Sequence, residues 1–121
     1  VNVEKWLSLF PVENKKMNNA KIQEVINIII AGYRPSKIII FGSYAKGIAH
    51  DSSDLDLLII KKTDEPKYRR AASIRKLFSS QPCAMDILVY TPEEYEHLLH
   101  YKSLIPYIAT KEGKVLYETR N

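Results

Sequence analysis

Cysteine, tryptophan and glycine are scarce in this chain: one Cys, one Trp and four Gly among 121 residues. A lone Cys83 excludes an internal disulfide framework and a cysteine-rich zinc site, and it suits a reducing compartment, so a cytoplasmic protein is expected. Long apolar runs are missing too. The longest candidates, Ile28–Ala31, Ile38–Phe41 and Leu57–Ile60, fall far below the roughly 18–20 residues that cross a bilayer, so no membrane span is expected. The opening stretch from Val1 to Pro11 mixes Glu4 and Lys5 with Trp6, Leu7, Leu9 and Phe10, without the basic-then-apolar order of a secretion signal. Neither an internal repeat nor a low-complexity tract appears.

What is present describes a folded domain. Hydrophobic residues make up 45% and charged residues 26%, near the globular average and unlike a disordered or fibrous chain. The length suits one core, so residues 1–121 are read as a single domain. Eighteen Lys and Arg against 14 acids give a formal +4, an excess too modest to identify a nucleic-acid binder by itself.

Apolar positions at Ile22, Val25, Ile26, Ile29 and Ile30 predict a helix over Met17–Ala31, with Gly32 as its left-handed terminator. Lys37–Phe41 is a continuous β-branched and aromatic run, the pattern of a strand covered on both faces. The small, polar stretch Gly42–Ser53 has room for one short helix beginning at Ser43. A second strand is expected over Asp54–Ile60, a helix over Lys67–Phe78 and a third strand over Met85–Tyr90. Thr91-Pro92-Glu93-Glu94 reads as a capping box opening the next helix at Pro92. Pro106 limits that helix or starts another, and Gly113 precedes a last strand, Lys114–Tyr117.

Asp54 and Asp56 lie two apart, so on a strand both side chains leave one face about 6.6–6.8 Å apart along the backbone. Asp86 occupies a similar position near the start of the third strand. Carboxylates about 4 Å apart repel by roughly 4 kcal/mol at an effective dielectric near 20, so such a trio calls for protons or a cation. An all-oxygen donor set without nearby Cys or His favours Mg²⁺, with Mn²⁺ as the alternative. Across from it, Gly42-Ser43 would expose backbone N–H groups at a helix start, with the Ser43 hydroxyl and the Lys46 cation beside them, a place for a triphosphate. For these parts to meet, the first strand must run antiparallel to the second and the second parallel to the third, with the intervening helix as crossover.

The segments Phe41-Gly42-Ser43-Tyr44-Ala45-Lys46-Gly47 and Ser53-Asp54-Leu55-Asp56-Leu57-Leu58-Ile59, separated by residues 48–52, resemble the polymerase-beta-like nucleotidyltransferases. Within that superfamily the sequence is most similar to the minimal nucleotidyltransferases (MNT). Met85-Asp86-Ile87-Leu88-Val89-Tyr90 with Thr91-Pro92-Glu93-Glu94 resembles their third-carboxylate strand and the helix after it. The motif core spans 37–94, with weaker similarity over Glu112–Tyr117. The resemblance implies a mixed α/β (α+β) nucleotidyltransferase fold, a small mixed sheet flanked by helices. It further implies that Asp54 and Asp56 bind catalytic metal ions, that Asp86 joins them and helps activate the attacking hydroxyl, and that Gly42 and Ser43 hold nucleotide phosphates. Lys46 falls where many relatives place a basic residue, whereas Tyr44 stands where many carry Arg. The implied reaction is transfer of a nucleoside monophosphate, AMP from ATP or another NTP, onto a hydroxyl of a protein or RNA acceptor.

The family also suggests a partner: the HEPN-type toxin of a HEPN/MNT pair, which an MNT antitoxin modifies. The rival reading is a binding module that neutralises such a partner by contact alone. RNA binding and self-association stay open. Too few residues lie outside the motif core for a separate acceptor-binding domain, so an acceptor or partner chain must complete the cleft. His97 and His100, three apart, lack a third ligand, and His50 has no named partner, so none is assigned a role. Lys61-Lys62 and Lys67–Arg70 read first as solvated charge, and Cys83 as a small inert residue.

Overall fold

The computed structural model describes residues 16–119; the opening stretch read against a secretion signal therefore lies outside the described residues. Among the described residues nine elements follow one another: α1 (Asn19–Tyr33), β1 (Lys37–Phe41), α2 (Gly42–Lys46), β2 (Leu55–Ile60), α3 (Lys67–Arg75), β3 (Met85–Tyr90), α4 (Pro92–Leu98), α5 (Ile105–Glu112) and β4 (Lys114–Glu118). The strands form one sheet in the order β3-β2-β1-β4. β1 runs antiparallel to both β2 and β4, while β2 and β3 are parallel. This mixed α/β arrangement is the one the sequence predicts, and α3 provides the crossover that the parallel pair requires.

Continuous apolar strands arise because both sheet faces are covered. Leu55, Leu57 and Ile59 share one core with Ile38 and Ile40 of β1 and with Val25, Ile26 and Ile29 of α1. Leu58 and Ile60 join Ile39, Tyr90 of β3, Tyr95 of α4 and Ala109 of α5 on the other face. Each fully buried Leu or Ile contributes about 1.5–3 kcal/mol relative to exposure, so the central strands are the stable platform to which the rim is attached.

Element ends show where local signals were outweighed. The first helix begins at Asn19, with the Asn18 side chain accepting from Lys21 N–H at 2.8 Å. It also runs past Gly32, the expected terminator. Arg34 takes the left-handed position instead, at φ 53° and ψ 55°, because Pro35 disfavours a right-handed helical residue before it. Gly32 serves packing: a Cβ there would stand 2.6 Å from Leu77 Cδ2. The second strand starts at Leu55, leaving Asp54 one residue ahead of the ladder, and α3 stops at Arg75 rather than Phe78. The capping box forms as expected, Thr91 Oγ1 accepting from Glu94 N–H at 3.2 Å and Glu94 Oε1 from Thr91 N–H at 2.8 Å. Pro106 lies in the first turn of a separate helix, α5.

Arg70, read from the sequence as solvated charge, is buried. Its Nη1 donates to Glu94 Oε1 at 2.6 Å and to the Val89 carbonyl at 3.2 Å, Nη2 to Glu94 Oε2 at 3.3 Å, and Nε to the Glu65 carbonyl at 2.9 Å. The forked guanidinium thus ties α3 to β3, to the start of α4 and to the β2–α3 loop, a use that a Lys could not replace. Its hydrogen bonds hold the Glu94 carboxyl below its ordinary range. A depressed carboxyl pKa contributes stability at neutral pH that is lost as pH falls through the folded-state value. We expect Arg70→Met to cost about 2–3 kcal/mol in urea unfolding at pH 7, and the difference from wild type to narrow on acidification below the ordinary carboxylate range.

Candidate active site

The site is assembled at one end of the sheet, where β1 finishes and β2 and β3 begin. Antiparallel pairing sets Phe41 opposite Asp56, and parallel pairing sets Asp56 beside Asp86. Because side chains alternate, Asp56 and Asp86 emerge on the face that carries Leu58, Ile60 and Tyr90 further along. Leu55 N–H donates to the Ala84 carbonyl at 2.8 Å, fixing the beginnings of the two strands side by side. Asp54 and Asp86 are exposed, while Asp56 is half-buried.

Asp56 has its carboxyl pKa raised, first by burial, then by the charges of Asp86 and Asp54. The three aspartates expected to act together are therefore electrostatic neighbours on one rim. Among the described residues no trio of His, Cys, Asp or Glu is gathered into a ready-made metal cage. Magnesium binds through one or two carboxylates and takes its remaining ligands from water and substrate phosphates. The donor set fits such an ion: hard oxygens, open to one side, with a central carboxyl whose ionisation a cation would favour.

Facing these acids is the turn from β1 into α2. Gly42 adopts φ +71°, and a Cβ built on it would overlap Asp56 Oδ2. Only glycine lets the backbone both turn left-handed and lie this close to the carboxylate. The first-turn N–H groups of α2 have no partners within the helix, and the half-buried Ser43 follows directly. Lys46, in the last turn of α2, extends toward α5: its Nζ lies 3.7 Å from Glu112 Oε2, both side chains half exposed. A pair this exposed is worth little, so Lys46 is not locked there.

Sequence reasoning missed two features of the rim. Glu112 is one, the counter-ion of Lys46. A second is the Tyr44 hydroxyl, which accepts from Met17 N–H at 2.9 Å and so attaches the chain before α1 to the Gly-Ser turn. Lys16 N–H adds a bond to Asp51 Oδ1 at 3.2 Å in the loop before Asp54. No sequence spacing announces contacts across 27 or 35 positions. Cys83, read from the sequence as a small inert residue, has its thiol pKa pushed up to about 11 by burial and by Asp54; it is protonated at neutral pH and a poor nucleophile. His50 hydrogen-bonds locally through Nδ1 to Ser52 Oγ at 2.9 Å.

Comparison with known proteins gives this geometry its family. Residues 23–121 match the family described as polymerase beta nucleotidyltransferase. The chain belongs to that family. Over 51 residues it is 45% identical to a Methanocaldococcus jannaschii protein named "Putative protein adenylyltransferase"; the alignment takes in 40% of this chain and 51% of the relative, so the chain matches about half that protein's length. Among solved structures, 84% of the chain superposes on 81% of "a putative nucleotidyltransferase from Sulfolobus solfataricus", with a TM-score of 0.57 and 16% identity. It also superposes, over 86% of its length, on 76% of a chain from a toxin-antitoxin complex with AMP-PNP (TM-score 0.51, 21% identity). A further neighbour comes from the complex of tri-AMPylated Shewanella oneidensis HEPN toxin with MNT antitoxin, where 86% of this chain covers 75% of that one (TM-score 0.53, 18% identity). At these identities the structural likenesses establish the nucleotidyltransferase fold.

Two glycines allow the role of the Gly42 approach to be separated from its dihedral angle. Gly47 has a similar φ of +74° but nothing within 4 Å of a built Cβ. Gly47→Ala is expected to cost about 1–2 kcal/mol from the left-handed backbone alone. Gly42→Ala should cost measurably more in the same urea titration, because it also displaces the Asp56 carboxylate.

Proposed function

We propose that the protein is a divalent-metal-dependent nucleotidyltransferase that moves AMP from ATP onto a hydroxyl of a protein or RNA acceptor, and that it serves as an MNT antitoxin acting on a HEPN-type partner. The observation that carries this reading is the half-buried Asp56 carboxyl, flanked by the charges of Asp54 and Asp86 and pressed against the Gly42 turn. Support for the adenylyl group comes from the name of the archaeal relative. Support for the partner comes from the AMPylated toxin in the complex of one structural neighbour.

Gly42 and Ser43 supply backbone N–H donors, and Ser43 a hydroxyl, to the phosphates. Lys46 releases Glu112 and neutralises phosphate charge. Asp54 and Asp56, joined by Asp86, would hold the metal ions, for which Mg²⁺ is the first choice and Mn²⁺ the alternative. A divalent cation held there would lower the charge repulsion at the α-phosphate and on the departing pyrophosphate. The exposed Asp86 accepts the proton of the acceptor hydroxyl. The acceptor oxygen then forms a bond to the α-phosphorus while the bond from that phosphorus to the bridging oxygen breaks, and pyrophosphate leaves with the electron pair. The product is a phosphodiester between AMP and the acceptor.

Incubating the protein with α-labelled ATP, Mg²⁺ and a co-expressed HEPN-type partner tests the reading. Label is expected on the partner, absent with EDTA, and reduced by roughly 100-fold or more in Asp54→Asn/Asp56→Asn. Undiminished labelling by the double variant would overturn the assignment of the rim. Neutralisation of the partner by the unlabelling double variant would instead favour inhibition by contact.

A further inference from the structure

The two edges of the sheet are finished differently. Along β3, the Ala84 carbonyl accepts from Leu55 N–H at 2.8 Å and the Tyr90 carbonyl from Lys61 N–H at 2.9 Å. The even-numbered carbonyls of β3 therefore face β2, and alternation turns those of Met85, Ile87 and Val89 outward. Two arginines of α3 meet them there: Arg75 Nη2 donates to the Met85 carbonyl at 2.7 Å and Arg70 Nη1 to that of Val89 at 3.2 Å. An edge whose outer carbonyls are held in this way is blunted against a further strand.

β4, at the opposite edge, is left open. Among the described residues no side chain donates to its carbonyls; the nearest hydrogen bonds, from Thr119, run inward to Ser36. Val115 and Leu116 keep 52% and 38% of their surface exposed, and an uncovered apolar edge is a template for another strand. The sequence of β4, Lys114-Val115-Leu116-Tyr117-Glu118, carries opposite charges at its two ends. Paired antiparallel with itself about Leu116, it sets Lys114 opposite Glu118 at both ends, Val115 opposite Tyr117, and Leu116 opposite Leu116. A parallel alignment would set Lys114 against Lys114 and Glu118 against Glu118, which repel. Among the described residues Lys114 has no ion pair, and Glu118, 3.5 Å from Lys37, keeps 57% of its side chain exposed, so both charges are available. The irregularity in the pairing of β4 with β1, the extra residue Leu116 between the Ile38–Tyr117 and Ile39–Val115 pairs, falls on the axis of this arrangement, so the bends of two copies coincide.

We propose that β4 is a dimerisation edge whose occupant is a second copy of this chain, paired antiparallel about Leu116 so that two four-stranded sheets become one of eight strands. Because β3 is blunted, each chain offers one open edge, and the assembly closes at two copies instead of growing into a filament. The candidate sites are left free. Asp86 lies on β3, the strand farthest from β4, and Lys114 pairs with Ile40 at the site end of β1, so antiparallel joining places the two sites at opposite ends of the joined sheet. Strand pairing needs neither nucleotide nor metal ion, so the dimer stands apart from the transfer reading.

Sedimentation equilibrium of the 121-residue chain tests this. Association toward twice the 14.0 kDa of one chain is expected as concentration rises. Lys114→Glu or Glu118→Lys alone should weaken it by about tenfold or more, since each sets like charges opposite one another at both ends of the paired strands. An equimolar mixture of the two variants should recover association near that of the wild type, because their heterodimer restores opposite charges at both ends. Both positions are exposed, so the fold is retained, and a thermal melt verifies this. A monomer at every concentration overturns the proposal. So does a dimer that either variant leaves intact, or a loss that mixing does not repair. Amide exchange over Val115–Glu118 that slows only when a HEPN-type partner is added would give the edge to that partner and overturn the second copy.

Discussion

The constraint on which the rim depends is electrostatic: three carboxylates share the end of an apolar sheet, and the central one is partly withdrawn from water. Left alone, such a group opposes folding in its charged form, as the raised pKa of Asp56 records. The energy to hold it there comes from β1 and β2, whose side chains are buried on both faces. Stability generated in the middle of the sheet is spent at its edge, where an ion and a phosphate chain would be the groups that relieve the repulsion.

Strand direction converts this constraint into a site. Were β1 parallel to β2, the Gly42 turn would emerge at the opposite end from Asp56. The antiparallel pairing of Phe41 with Asp56 brings the turn back against the carboxylate, closely enough that a methyl group would not fit. The parallel pairing of β2 and β3 then adds Asp86 in register. Two opposite strand relations and one missing Cβ therefore account for the juxtaposition.

These relations were legible because they follow from local and periodic signals. Alternation and β-branching marked the first three strands, Thr91 and Glu94 announced a capping box that forms in both directions, and requiring Gly42 to meet the aspartates predicted the strand directions. What escaped notice depends on distant neighbours. Gly32 looked like a helix terminator, but its lack of a side chain answers to Leu77, and Pro35 moved the left-handed residue to Arg34. Arg70 looked like one more surface charge until Glu94, the Val89 carbonyl and the Glu65 carbonyl surrounded it. The partners of Lys46 and Tyr44 are equally non-local.

Those same non-local contacts show how the rim is held from outside the central strands. The Tyr44–Met17 hydrogen bond ties the chain before α1 to the Gly-Ser turn, and the Leu55–Ala84 hydrogen bond sets the beginnings of β2 and β3 side by side. With both parts anchored in this way, a nucleotide held between the turn and the acids would meet donors and carboxylates already aligned, so that little ordering remains to be done when it binds.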